Sequence, residues 1–306
     1  MKIIAISTTS FAEYDKLPLE LLKKCGYQII INPFGRKIKP EELVDFAKDA
    51  IGLIAGTEAI KEDTMSKLPK LKVISRCGAG LESVDLEAAK RLKLKVFNTP
   101  DAPTLAVAEL TVGLILNLLR RVNKMDAAIR SGQWQKLMGN LLLNKKVGII
   151  GFGKIGKNVA GLLKAFGCQI AYTDPNIKTA AGKFKKMSKK ELLGWADIVT
   201  IHASSKDRIL GEKEFNLLKK GAWIVNVSRG ETVDESVLFK ALTENYISGA
   251  AIDVFVEEPY CGKMKELDNV ILTPHIGSYA KEARINMELE AVKNLIKGLK
   301  EGARLR

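Results

Sequence analysis

At 306 residues the chain is long enough for two ordinary domains, each with its own core. Hydrophobic residues make up 46% and charged residues 27%, a soluble globular balance that excludes a disordered or fibrous chain. The formal net charge of +14 comes from lysines spread among 35 acids, so it reads as a field that attracts small anions and not as a nucleic-acid surface.

No segment reads as a membrane span, because the longest apolar stretch, residues 105–119, is broken by Glu109 and Asn117. Residues 3–6 are apolar but too few for a signal peptide and read as a first strand, so a cytoplasmic chain is expected. Cys25, Cys77, Cys168 and Cys261 show no metal or redox spacing. They are expected to be buried, reduced thiols, and no metal site is expected.

In chain order, β-rich apolar runs alternate with amphipathic helical patterns, as in parallel sheets covered by helices on both faces. Strands are predicted at 2–7, 27–32, 51–55, 73–75 and 95–97. The turn Arg76-Cys77-Gly78-Ala79-Gly80 follows the fourth, and its glycines expose backbone N–H groups that suit a carboxylate; an ordinary turn is the alternative. Residues 104–133 then read as one long helical stretch, apolar nearly all round in its first half. Such a helix has to be buried, either as an internal core helix or, as a crossover between domains, against a second copy. Further strands are predicted at 146–150, 169–173, 198–202, 223–227, 250–254 and 270–272. The lysine-rich residues 183–190 read as a solvated loop, and a last helical stretch, 280–300, is expected to pack on the first set of strands.

Residues 146–174 are the most specific segment. A strand runs into Gly151-Phe152-Gly153-Lys154-Ile155-Gly156, a helical pattern follows at once, and a second strand delivers Asp174. This is the order of a dinucleotide-binding unit. Gly151 permits the tight turn, Gly153 lets backbone approach a pyrophosphate, and Gly156 lets helix and strand pack closely. The helix N-terminus offers N–H groups and a partial positive charge to the phosphates. Asp174 would accept hydrogen bonds from an adenosine ribose and repel a 2′-phosphate, so NAD is expected and not NADP.

Ligands of open α/β sheets sit beyond the carboxyl ends of the strands. There the second set presents His202, Arg229, Asp253 followed by Glu258, and His275. The group suits interconversion of a 2-hydroxy acid and a 2-keto acid. Arg229 can hold a carboxylate in a charge-assisted fork worth about 1.5–3 kcal/mol and polarise the carbonyl. An imidazole exchanges protons at neutral pH, and the two histidines of the chain, His202 and His275, are the whole choice. His275 is the candidate acid and base, with Glu258 as its carboxylate partner and Glu257 as the competing one. His202 is expected beside the nicotinamide or ribose.

On these residues the chain resembles the D-isomer-specific 2-hydroxyacid dehydrogenases, most closely the D-3-phosphoglycerate dehydrogenase branch. The resemblance runs through SRCGAGLESVDLEAA, FNTPDAPTLAVAEL, VGIIGFGKIG, IVNVSRGETVDESVL, GAAIDVFVEEP and LTPHIGS. Formate dehydrogenases of the same superfamily usually carry Gln where Glu258 stands. The resemblance implies an α/β fold of two doubly wound parallel-sheet domains, Rossmann- and flavodoxin-like, with an active-site cleft between them. Residues 1–98 plus 280–306 would form the substrate domain and 99–279 the NAD domain.

It implies Arg229, Glu258 and His275 as catalytic residues. Arg76, Gly78, Ala79 and Gly80 would bind substrate together with Arg229 and His275. Lys154, Ile155, Ser228 and Gly277 join the glycines, Asp174 and His202 as cofactor contacts, with Asp253 on the nicotinamide carboxamide. The implied reaction is NAD-dependent, with 3-phosphoglycerate as the first substrate candidate and serine biosynthesis as its setting. Glyoxylate, hydroxypyruvate or another unphosphorylated acid is the alternative, and an NAD-sensing module of the corepressor kind a remote one. A homodimer through residues 101–145 is expected.

Departures from the branch are also visible. Its phosphate-binding arginine after the third strand is replaced by Ala55-Gly56-Thr57-Glu58, with Lys136 as a candidate substitute. Two further segments read Glu82-Ser83-Val84-Asp85 and Ala203-Ser204-Ser205-Lys206. A short form without the branch's C-terminal regulatory domain is expected.

Overall fold

Two all-parallel sheets organise the chain in the computed structural model, which describes residues 2–178, 183–205 and 207–303. Lys206 and residues 304–306 lie outside the described residues. The chain divides into two compact units, one formed by the residues up to Pro103 with those from Ser278 on, the other by Thr104–Gly277.

The first unit contains β1 (Ile3–Ile6), β2 (Gln28–Ile31), β3 (Ala50–Ala55), β4 (Val73–Arg76) and β5 (Lys95–Phe97), in the order β2-β1-β3-β4-β5. Successive side chains of a strand point to opposite faces, and both faces here are apolar. Ile4 and Ile6 pack with Leu22, Val73, Met287 and Leu295 under the helices Leu17–Lys24 and Lys281–Ala303. Ala5 and Leu53 pack with Leu43, Ile74 and Ala88 under the helices Pro40–Ala47, Glu62–Ser66 and Leu86–Arg91. The helix Leu86–Arg91 starts where the Asp85 carboxylate accepts the Ala88 N–H at 3.0 Å, a side-chain N-cap.

The second unit contains β6 (Lys146–Ile150), β7 (Gln169–Thr173), β8 (Lys185–Lys186), β9 (Ile198–Ile201), β10 (Trp223–Asn226), β11 (Gly249–Ile252) and β12 (Val270–Leu272). Their order is β12-β11-β10-β9-β6-β7-β8, so the connections reverse between β6 and β9. The helix Thr104–Arg120 is internal to this unit: Val107, Val112, Ile115 and Leu119 pack against Val147, Val159, Leu163 and Ile271.

Three expectations are corrected. Residues 104–133 are not one helix, because Arg121 adopts φ +53°, a left-handed conformation that ends the first helix before a second, Val122–Arg130. Residues 183–190 are not all loop. Lys185 and Lys186 pair with Ala171 and Tyr172 at the open edge of β7, while Phe184 and Met187 on either side pack inward. The thiols are not uniformly buried either: Cys77 is, Cys168 is half-buried, and Cys25 and Cys261 are exposed. Among the described residues, no helix is long and apolar enough to cross a membrane.

Leu295 is fully buried between the Lys281–Ala303 helix and the first sheet. Leu295→Ala is therefore expected to lower stability by about 2–5 kcal/mol, the range for a buried leucine that leaves a cavity, read from denaturant unfolding.

Candidate active site

The candidate groups of the second unit lie at the carboxyl ends of its strands, where a parallel sheet receives ligands. Gly151, which follows β6, has φ +88°, and a Cβ there would lie 2.7 Å from the Ala203 nitrogen. A Cβ on Gly156 would lie 2.2 Å from the Gly151 carbonyl oxygen. Both positions admit only glycine, whereas nothing stands within 4 Å of a Cβ on Gly153. Gly153 starts the helix Lys154–Ala165 without a side-chain cap, so the first-turn amides of Lys154, Ile155 and Gly156 head the helix at this open turn.

Asp174, at the end of β7, fixes the tip of the turn by accepting the Phe152 N–H at 2.7 Å and the Asn176 N–H at 2.8 Å. The Phe152 ring stacks on Tyr172 with centroids 3.8 Å apart. A turn closed to side chains at two glycines and open at the third, at the head of an uncapped helix, fits a pyrophosphate-bearing cofactor.

His202 follows β9 beside Gly151. Its Nε2 lies 2.9 Å from the Thr200 hydroxyl, and its buried Nδ1 has no hydrogen-bond partner among the described residues. Burial pushes its pKa down from 6.5 to about 3, so the ring is neutral at physiological pH.

Arg229 follows β10, and its turn is organised by Asn226, which is 1% exposed. The Asn226 Oδ1 accepts the Ser228 N–H at 3.1 Å and the Ser228 hydroxyl at 2.8 Å, while its Nδ2 donates to the Arg229 carbonyl at 3.0 Å. The half-buried guanidinium donates to the Ser228 carbonyl at 2.7 Å. Gly230 backs directly onto Phe255, whose carbonyl carbon would lie 2.0 Å from a Cβ at that position. The Phe255 N–H in turn donates to Glu258 Oε1 at 3.1 Å. Glu258 Oε2 meets His275 Nδ1 at 2.9 Å. A continuous run of contacts thus links the Arg229 turn to the Glu258–His275 pair. Both side chains of the pair are partly exposed, and Glu257 is exposed beside them.

His275 has φ +54°, in the left-handed region. Asp253, at the end of β11, holds its turn: Oδ1 accepts the Thr273 hydroxyl at 2.6 Å and the Ile276 N–H at 2.8 Å, and Oδ2 accepts the Gly277 N–H at 2.9 Å. Burial raises the Asp253 pKa, and these hydrogen bonds oppose the rise. Thr273, Asn226 and Thr200 are absent from the residues predicted above. Each acts through another side chain; Thr273, inside LTPHIGS, and Asn226, inside IVNVSRGETVDESVL, lay within motifs, and Thr200 did not.

In the first unit, the Gly78 N–H of the predicted substrate turn donates to the Thr99 hydroxyl at 2.8 Å, and Asn98 Nδ2 donates to the Ala79 carbonyl at 2.6 Å. Ala79 is exposed, and Arg76 is half-buried behind it. Lys136, in the second unit, is exposed.

Such a cradle and such an Arg–Glu–His group on one parallel sheet are those of a nicotinamide-dependent dehydrogenase. Residues 112–277 match the family model described as D-isomer specific 2-hydroxyacid dehydrogenase, NAD binding domain. The chain is 38% identical to a glyoxylate reductase of Thermococcus litoralis over 78% of this chain and 77% of that one. It is 39% identical to a D-3-phosphoglycerate dehydrogenase of Methanocaldococcus jannaschii over 84% of this chain, and spans about half, 52%, of that protein's length. The crystal structure of a Thermus thermophilus protein superposes with a TM-score of 0.91 at 31% identity, covering 98% and 97% of the two chains. The chain belongs to the D-isomer-specific 2-hydroxyacid dehydrogenase family, and its second unit carries the NAD-binding domain.

A histidine kept neutral by burial binds fewer protons folded than unfolded. The stability it allows is complete above its unfolded pKa of 6.5 and is lost as pH falls toward about 3, at about 1.4 kcal/mol per pH unit. In an imidazole NMR titration of this two-histidine chain, one ring is therefore expected to stay neutral below pH about 5, and His202→Asn to remove that signal. Titration of both rings near neutral pH would refute the buried, neutral assignment.

Proposed function

We propose that the protein interconverts a D-2-hydroxy acid and its 2-keto acid, with His275 as proton carrier, Glu258 as its carboxylate partner and Arg229 as the cation for the substrate. The observation that carries this reading is the 2.9 Å contact of His275 Nδ1 with Glu258 on a turn pinned by Asp253. Bound NAD supplies the hydride acceptor for C2 in oxidation, and NADH the donor in reduction. The substrate hydroxyl proton passes to His275 Nε2 during oxidation, and Glu258 steadies the resulting imidazolium. In reduction the same proton returns to the carbonyl oxygen. Arg229 pairs with the carboxylate and stabilises the charge that builds on that oxygen.

The first unit is assigned the substrate, through the Ala79 and Gly80 amides with Arg76 and Gly78 behind them. The phosphates are assigned to Gly151, Gly153 and the helix head at Lys154, Ile155 and Gly156, the ribose to Asp174, and the nicotinamide side to His202, Ser228, Asp253 and Gly277.

Two substrate readings have support. Similarity to phosphoglycerate dehydrogenases favours 3-phosphoglycerate, which would place the reaction in cytoplasmic serine biosynthesis. Similarity along the greater part of a glyoxylate reductase favours glyoxylate or hydroxypyruvate.

His275→Ala is expected to lower kcat on the preferred keto acid by about 10²–10⁴-fold while NADH still binds, measured by absorbance kinetics and fluorescence titration. Undiminished turnover would remove His275 from its role. NADH binding by the wild type without turnover of any keto acid would favour the NAD-sensing module.

A homodimer through residues 101–145 is part of the same reading. Trp134, Met138 and Leu141 are 82%, 91% and 70% exposed on a segment without regular structure, an apolar load that a second copy would cover. Sedimentation is expected to give a dimer for the wild type and a shift toward monomer for the triple change to serine; a monomeric wild type would overturn it.

A further inference from the structure

Alternate residues of a strand share a face, so Ile198 and Thr200 of β9 and His202 just beyond it line one side of the second sheet. The His202 N–H, which donates to the Ile150 carbonyl at 2.7 Å, continues the pairing with β6. Thr200 is 0% exposed and lies between Ile149 of β6 and Val225 of β10, both in the same apolar layer as Ile198. Valine has the same shape and would suit that layer better, because a buried hydroxyl costs free energy unless it is hydrogen-bonded. Packing therefore does not account for the hydroxyl. Its one hydrogen-bond partner among the described residues is His202 Nε2, at 2.9 Å.

That single contact decides where the ring proton sits. The buried ring is neutral, so one nitrogen carries the proton and the other a lone pair. If Nε2 carried it and donated to Thr200, the threonine proton and the Nδ1 lone pair would both be left buried without partners. If Thr200 donates to Nε2, only one group is left over, an N–H at Nδ1. Nδ1 is buried and has no partner among the described residues. The same histidine walls the cofactor turn: its carbonyl carbon and oxygen would lie 2.7 and 2.8 Å from a Cβ on Gly151. A spare N–H beside this turn suits an oxygen acceptor of the dinucleotide that the turn receives.

We infer that Thr200 is a positioning residue, which holds His202 as the Nδ1–H tautomer so that this N–H donates to an oxygen of the bound dinucleotide. The inference rests on the NAD-binding role of the second unit and not on the hydride-transfer roles of Arg229, Glu258 and His275.

The test reads the tautomer directly, by nitrogen NMR of the imidazoles in the full chain, and NADH affinity separately, by fluorescence titration. In the wild type the His202 proton is expected on Nδ1, and saturating NADH is expected to shift that nitrogen's resonance. Thr200→Val, which keeps the shape and removes the hydroxyl, is expected to release the proton to Nε2 in part or in full and to weaken NADH binding by about three- to tenfold. Thr200→Ser, which keeps the hydroxyl, is expected to restore the wild-type tautomer. A wild-type proton on Nε2, or a tautomer unchanged in Thr200→Val, overturns the role of Thr200. An Nδ1 resonance unmoved by saturating NADH overturns the donor role of His202. Failure of the folded wild type to bind NADH overturns the cofactor reading and that donor role with it, while the tautomer measurement still judges Thr200.

Discussion

Three donors converge on the buried carboxylate of Asp253, and the functional edge of the second sheet is built around that convergence. The Thr273 hydroxyl and the Ile276 and Gly277 amides come from a turn that has no regular hydrogen-bonded structure of its own. Without Asp253 those amides would lose their acceptor, at a cost of about 1–3 kcal/mol for each one left buried. The left-handed conformation of His275 costs a further 1–2 kcal/mol or so that the anchored turn has to outweigh. His275 can then meet Glu258, Glu258 can meet the Phe255 amide, and Gly230 can press the Arg229 turn against the same Phe255.

The same device recurs at other strand ends. Asp174 takes the Phe152 amide after β6, Glu58 takes the Gly56 amide after β3, and Asn226 plays the neutral version after β10. Parallel strands end with backbone groups that no neighbour completes, and a short acid or amide side chain satisfies them without adding bulk.

Much of this was legible in the sequence, because it is written in local order. The strand, glycine turn, helix, strand and acid of residues 146–174 follow one another without interruption, and the alternation of strands and helices fixes the two sheets. What escaped was set by tertiary context. Lysines at 185 and 186 hide the inward residues Phe184 and Met187, so a short edge strand looks like a charged loop. Arg121 is an ordinary helix former, and its φ of +53° goes with the Asn117 side chain accepting the Asn123 N–H at 3.0 Å, a turn that residue type alone does not mark. At Glu58 the missing cation was readable from the loop itself. The carboxylate's partner Ser7 was not, because only the pairing of β1 with β3 brings it there. Asp253 was readable as a candidate acid, but its three partners sit on the turn beyond β12 and become visible only once β11 and β12 lie side by side.

The uneven burial of the four thiols makes the protein its own labelling scaffold. Burial pushes Cys77 up to about 11 and also holds Cys168 at about 11, so neither forms much thiolate near neutral pH. Cys25 and Cys261 are exposed, and they belong to different units. A thiol-directed dye would therefore mark each unit once without a single engineered residue. The mark at Cys25 would report on the first unit alone, and the mark at Cys261, on the loop that carries Glu258, on the candidate site of the second.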